Sequence, residues 1–413
     1  MATSLMSPSE PNAPQVPWRR NLAVCWLGSF LTAAGMSLVM PFLPLYIAQL
    51  GVHAVGAIEI WSGVSFGATF LLAAFMAPVY GRLADRYGRK LMLLRASLGM
   101  AVVFALTGAV QNVWQLALLR FLMGAVSGYV STATILVATQ APRERSGWAL
   151  GLLSTGYVSG ALLGPLFGGF LAETIGLRHI FWLTGALLFL TFLLTWLFVQ
   201  ETWQPHRAEP PSRRDVWRMA KNPAAIWALF VSACLLQVTS FAIEPIVTVY
   251  VQALSHSTAH VPLIAGLVVG ATGVATLGAA PLLGRLTDRV GARSVLVGAL
   301  IATALVTVPQ AFVHTPWQLL GWRFMMGVTS AALAPAMGAR LRELVPEEVS
   351  GRFFGYQQSA QYVGNISGPL MGGVLAAHAG IPAVFLTTGG LLLVNALGVV
   401  AFEARSRRLN AAT

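Results

Sequence analysis

Gly81-Arg82-Leu83-Ala84-Asp85-Arg86-Tyr87-Gly88-Arg89-Lys90, and Gly284-Arg285-Leu286-Thr287-Asp288-Arg289-Val290-Gly291, are the two stretches on which the reading of this chain turns. Each is a short basic loop set between two apolar runs of about 20 residues, the length that spans a bilayer as a helix. The two loops lie 203 positions apart. The offset holds elsewhere: Trp114-Gln115, Arg120-Phe121 and Met123-Gly124 recur as Trp317-Gln318, Arg323-Phe324 and Met326-Gly327. Pro41 and Tyr46 recur as Pro245 and Tyr250 at an offset of 204. So constant a shift marks a duplicated unit, and internal duplication places a binding site at the interface of the repeats.

The composition agrees. Of 413 residues, 56% are hydrophobic and 10% charged, against about 25% charged in a soluble domain. Such a chain cannot cover a water-facing surface, and in lipid the backbone must satisfy its own hydrogen bonds. Long continuous runs, not short alternating ones, make the fold an all-α membrane protein. Twelve transmembrane helices are expected, at 22–47, 58–80, 91–110, 114–139, 147–171, 179–199, 224–253, 262–283, 294–312, 316–339, 351–376 and 381–402. They form two pseudo-symmetric six-helix bundles, 1–200 and 223–413, joined by a polar linker, 201–222, with Pro205, Pro210 and Pro211.

The net charge of +12 is a matter of topology and does not indicate nucleic acid. Of the 26 Lys and Arg, Arg95, Arg120 and Arg323 lie inside apolar runs and Arg178 falls on the far side; the others occupy the side of the basic loops. By the positive-inside rule that side is cytoplasmic and holds both termini. Trp61, Trp114, Trp182 and Trp317 stand near the opposite border, as an aromatic belt. Cys25 and Cys234 sit in apolar runs and read as small buried hydrophobes. No metal cluster or cofactor motif is apparent, and no catalytic constellation, so an enzyme is not expected.

In the basic loop, Gly81 and Gly88, like Gly284 and Gly291, permit a tight turn between helices. Arg86, Arg89, Lys90 and Arg289 stay at the membrane surface. Asp85 and Asp288 suit a helix N-terminus, where a carboxylate is favoured. Span 5 carries Gly151, Gly160, Gly164-Pro165 and Gly168-Gly169, and span 11 carries Gly355, Gly364, Gly368-Pro369 and Gly372-Gly373. Small residues at i, i+4 and i+8 let helices approach closely, and the internal prolines permit a bend.

These motifs resemble the major facilitator superfamily. The loop after span 2 is similar to that family's signature loop, and the glycine spacing of span 5 to the antiporter motif of its twelve-span drug:proton antiporters. Met40-Pro41-Phe42-Leu43-Pro44-Leu45-Tyr46 at the end of span 1 and Arg120 in span 4 also look like those exporters. The resemblance runs from about Trp18 to Arg408. It implies a bacterial inner-membrane carrier, acting as a monomer, that exports small amphipathic molecules in exchange for protons by alternating access. Spans 1, 4, 7 and 10 would line its cavity. The basic loops would act as conformational latches, Asp85 reaching the start of span 11 near Ser350-Gly351 and Asp288 that of span 5 near Ser146-Gly147.

Span 1 departs from the family in lacking the acidic proton acceptor of many relatives. Glu244, in span 7, reads as the only carboxylate deep in a span, and it shares a helix face with Gln237 and Ser240. Arg323 lies at comparable depth in span 10. An ion pair between them that breaks on protonation would couple proton to substrate. Glu59, near the outer end of span 2, reads as a second candidate close to the water interface. Met36 and Met40 give one cavity wall an apolar character. Ser127 below Arg120, and Gln358, Gln361, Tyr362 and Asn365 on span 11, give polar stripes of the kind that face a cavity or another helix. A proton symporter importing a polar metabolite is the alternative; the apolar wall and the span 5 glycines favour export.

Overall fold

The computed structural model describes residues 17–142, 145–201, 217, 222–255 and 260–411. Every regular element among them is helical. The first half contains α1 (Trp18–Val39), α2 (Leu43–Gln49), α3 (Val55–Tyr87), α4 (Arg89–Gly108), α5 (Val113–Val126), α6 (Tyr129–Gln140), α7 (Ser146–Thr174) and α8 (Leu177–Phe198). The second contains α9 (Pro223–Ile243), α10 (Val247–Leu254), α11 (Val261–Val290), α12 (Ala292–Thr307), α13 (Pro316–Ser330), α14 (Leu333–Leu344), α15 (Glu347–Ala379) and α16 (Ile381–Ala411). Ten segments are long and apolar enough to cross a membrane. The two expected spans outside that count are α13–α14, which carries Arg323, Arg340 and Arg342, and α15, whose Gln357, Gln358, Gln361 and Asn365 lower its hydropathy.

Four segments are broken, and they are spans 1, 4, 7 and 10. Pro41 and Pro44 interrupt the first, so Met40–Phe42 winds as a 3-10 turn. A proline supplies no N–H and its ring presses on the carbonyl four residues back. Pro245 interrupts α9 from α10 in the same way, which leaves Glu244 at the break. Span 4 breaks at Ser127-Gly128, where Gly128 has φ 113°, a conformation that strains any residue with a Cβ. Span 10 breaks at Ala331-Ala332.

The repeat extends to single hydrogen bonds. Asn112 caps α5 by accepting from the Gln115 N–H, and Thr315 caps α13 by accepting from the Gln318 N–H. Gln115 and Gln318 accept in return from the backbone N–H groups of Gln111 and His314. The Tyr46 hydroxyl donates to the Thr107 carbonyl at 2.8 Å, and that of Tyr250 to the Gln310 carbonyl at 3.0 Å. Gly88 and Gly291, at φ 89° and 96°, make the turns from α3 into α4 and from α11 into α12 that the motif required.

Within each half the packing is matched: α1 lies along α7 and α4 along α8, as α9 lies along α15 and α12 along α16. The halves meet along two seams, α3 with α15 and α7 with α11. Trp114, Trp182 and Trp317 are exposed at the border away from the basic loops, and Trp61 meets Trp114 edge-to-face at 4.5 Å.

Candidate functional site

The glycine motif is the packing code of both halves. A Cβ added at Gly160, Gly164 or Gly168 would collide with backbone of α1 or its 3-10 extension, and one at Gly364, Gly368 or Gly372 with backbone of α9. The next glycine of each motif turns to the other half: Gly169 lies against Pro262 and Leu263 of α11, and Gly373 against Glu59 and Ile60 of α3. Partner glycines answer from across the seams. Gly63 and Gly67 of α3 approach Pro369, Ile366 and Leu370, while Gly266 and Gly270 of α11 approach Pro165 and Leu166. At Gly151, Gly355, Gly81 and Gly284, all towards the basic loops, an added Cβ would meet nothing within 4 Å.

Among the described residues, two polar contacts between the halves lie on the far side. The Thr248 hydroxyl donates to the Pro41 carbonyl, joining the breaks of spans 1 and 7. His260 Nδ1 meets the Glu173 carboxylate where α11 and α7 come together. Phe70 and Phe241 pack edge-to-face at 5.1 Å. Asp288 is exposed and, among the described residues, has no hydrogen-bond or ion-pair partner. The side chain of Asp85 and those of Ser146 and Ser350 lie outside the described residues.

Arg120 and Arg323 occupy matching buried sites, each 6% exposed. In both, Nε and Nη2 have no hydrogen-bond partner among the described residues, an uncommon state for a buried cation. Arg120 lies over the Phe104 and Phe181 rings at 5.3 and 5.8 Å, and borders a small void shared with Met40, Thr69 and Phe70. Arg323 has Glu244 as its electrostatic neighbour. Glu244 makes no salt bridge among the described residues, so the expected pair is a proximity and not a bond.

A cavity of about 370 Å³ opens between α9, α14 and α15, lined by Gln237, Ser240, Gln358 and Gln361 together with Ser330, Met337, Phe354 and Gln357. Four expected cavity residues therefore come together. Asn365 accepts from Gln237 Nε2 at 2.8 Å, which spends part of that polar stripe on helix packing. Gln357 Oε1 is buried without a partner among the described residues. Met36 packs against the apolar core, and the Ser127 carbonyl accepts from Arg95.

Comparison with known proteins fits this geometry. A family profile described as Major Facilitator Superfamily matches residues 25–267 and 246–412. The chain belongs to the Major Facilitator Superfamily. It is therefore a multi-pass membrane transporter and not an enzyme. It is 48% identical over 393 residues, 95% of this chain and 96% of the relative, to "Multidrug resistance protein MdtG" of Salmonella arizonae. The same protein of Salmonella typhimurium matches equally, at 48% with the same coverage. A solved bacterial homolog of the human lysosomal transporter Spinster, in an inward-facing and occupied conformation, superposes with TM-score 0.76 at 16% identity over 94% of this chain and 97% of that one. The nucleoside transporter NupG superposes with TM-score 0.76 at 14% identity over 93% and 99%. Both likenesses speak to the superfamily fold alone.

One expectation is corrected. Glu59 stands one turn inside the far-side end of α3, as expected, but it is not open to water: it is 3% exposed, in the α3–α15 seam where Gly373 admits its backbone. Tyr157 and Glu201 escaped the sequence reading, which marks Arg95 only as an arginine inside an apolar run. Tyr157 is an electrostatic neighbour of both Glu244 and Tyr362; it is the repeat partner of Gln361, so applying the offset to that glutamine would have found it. Glu201 accepts from the Arg89 and Lys90 N–H groups at 2.9 and 2.7 Å and so caps α4 beside the signature loop. Arg95 donates to the Ala125 and Ser127 carbonyls, both at 2.9 Å, closing the broken end of α5 while lying 3.4 Å from the Tyr80 ring centroid.

Proposed function

We propose that the chain is a proton-coupled efflux antiporter for amphipathic drugs or similar small molecules, working by alternating access. Its setting is the bacterial inner membrane, crossed twelve times, with both termini and the basic loops in the cytoplasm. The observation that carries the reading is the asymmetry of the interface. Among the described residues, seams and hydrogen bonds join the halves on the far side, with the Phe70–Phe241 contact near mid-span, while Gly81, Gly151, Gly284 and Gly355 towards the basic loops face open space and Asp288 is exposed. Among those residues this fits a carrier closed outside and open inside, with Asp288 free of its latch contact. The multidrug-resistance relatives support the substrate class.

In this reading Glu244 carries the proton. It sits at a helix break, where helix ends and freed backbone groups commonly build transport sites. A protonated Glu244 leaves Arg323 to water or substrate; a deprotonated one draws Arg323 in. Glu59 serves as a second titratable group, wet only when the α3–α15 seam opens. Tyr157 and Tyr362 border the same space, and the glutamines of the α9–α15 cavity offer hydrogen bonds without fixed charge.

The test is transport in proteoliposomes with an imposed pH gradient and a panel of cationic, neutral and polar compounds. Glu244→Gln is expected to abolish gradient-driven efflux while compounds still bind. Wild-type coupling in Glu244→Gln, with coupling lost in Glu59→Gln, moves the proton to the seam. Uptake of a polar metabolite driven by the gradient, with no drug efflux, overturns the export reading.

A further inference from the structure

A second cavity, of about 680 Å³, lies at the basic-face ends of α1 and α7. It is lined by Arg19, Leu22, Ala23 and Trp26 from α1 and by Arg145, Trp148 and Leu152 from α7 and the residue before it. Trp148 stands nine residues before Tyr157. At 3.6 residues per turn, about 100° each, that is half a circle. Tyr157 borders Glu244, so Trp148 looks away from the transport site. It shares a face with Leu166, about five turns on, which meets Gly270 of α11, so the groove opens beside that seam.

The duplication supplies a comparison within the molecule. With the offset of 204, Ala23, Trp26 and Leu152 correspond to Trp227, Phe230 and Tyr356. In the second half this groove is filled. The Trp217 indole stacks on Trp227 at 5.6 Å and on Tyr356 at 6.1 Å, and meets Phe353 edge-on at 5.1 Å. In the first half no described residue takes that place, and the groove has two exposed arginines at its mouth. Neither Arg19 nor Arg145 has an acidic partner among the described residues. The walls are indole and leucine, and Trp26 is held in place by donating from Nε1 to the Thr155 hydroxyl at 3.0 Å.

We infer that this groove binds an anionic phospholipid of the basic-side leaflet. Arg19 and Arg145 hold the phosphate group, and an acyl chain lies between Trp26, Trp148, Leu22 and Leu152. The chemistry is complementary at both ends: cations at the level where helices α1 and α7 begin, and an apolar slot one to two turns deeper. An arginine fork matches phosphate geometry, and indoles favour the headgroup border. Bound there, the lipid wedges α1 against α7, the pair that the glycine motif packs together.

The test uses the full chain in vesicles of phosphatidylcholine mixed equally with phosphatidylglycerol, with bromine on the acyl chains of one lipid or the other. The part of tryptophan fluorescence that Trp148→Phe removes reports the groove. Brominated phosphatidylglycerol is expected to quench that part with roughly tenfold preference over brominated phosphatidylcholine, given two basic groups near the phosphate. Arg19→Gln with Arg145→Gln should remove the preference. Arg19→Lys with Arg145→Lys should keep most of it, as should Arg285→Gln with Arg289→Gln in the second half. Should the glutamine pair not fold, Leu152→Trp fills the slot and is expected to abolish the quenching. Equal quenching by both lipids, or a preference that survives the glutamine pair, overturns the inference. So does quenching that appears only after residues 2–16 are deleted, which would make the occupant the chain's own N-terminal segment.

Discussion

Gly266→Ala puts one methyl group into the α7–α11 seam. The added Cβ would stand 2.5 Å from the Pro165 carbonyl oxygen and 3.2 Å from the Gly169 Cα. Ordinary carbon contacts are about 3.5 Å, so the seam must part by about 1 Å. Both obstacles are backbone, and neither can rotate out of the way. Overpacking of this kind costs roughly 1–3 kcal/mol. The cost falls only on the state in which the seam is closed, so the far-side-open population should rise by roughly 5- to 150-fold. Spin labels at Gln111 and His314, at the far-side starts of α5 and α13, read that opening as a longer interlabel distance, with Cys25 and Cys234 replaced by Ala. Gly298→Ala is the control: it makes the same chemical change in a membrane helix where the Cβ meets nothing within 4 Å. A distance distribution unchanged in folded Gly266→Ala, or shifted equally in Gly298→Ala, refutes the reasoning.

Glu201→Gln removes the charge that caps α4 and should lower stability by about 1–2 kcal/mol, seen as a lower Tm of the purified protein; an unchanged Tm means that Arg89 and Lys90 N–H groups find other acceptors. Arg95→Lys keeps the charge but cannot span the Ala125 and Ser127 carbonyls with one fork, so a loss of about 1–3 kcal/mol is expected, and wild-type stability would show that the span 4 break closes without it. Glu173→Gln weakens the exposed contact with His260; a solvent-screened pair is worth at most about 1 kcal/mol, so the label distance should shift less than in Gly266→Ala, and an equal or larger shift would place the main far-side tie at this pair.

The sequence by itself determined the helical membrane class, the duplication and the glycine faces, because each is written in local spacing. Apolar length sets a span, an offset near 203 sets the repeat, and glycines four apart set a face that admits another backbone. Those terms do not say which backbone arrives. Only the tertiary structure decided that Gly169 and Gly373 face the opposite half while their neighbours face their own. The place of Glu59 near the end of its span was legible, and its burial against Gly373 across the seam was not. Glu201 and Arg95 act on elements 112 and about 30 residues away, and the partners of such contacts are fixed by packing and not by periodicity. The clearest case is the pair of matching grooves. The duplication sets them at matching positions, and one indole from the linker, Trp217, makes the second a filled aromatic cluster, while no described residue fills the first beside its two arginines.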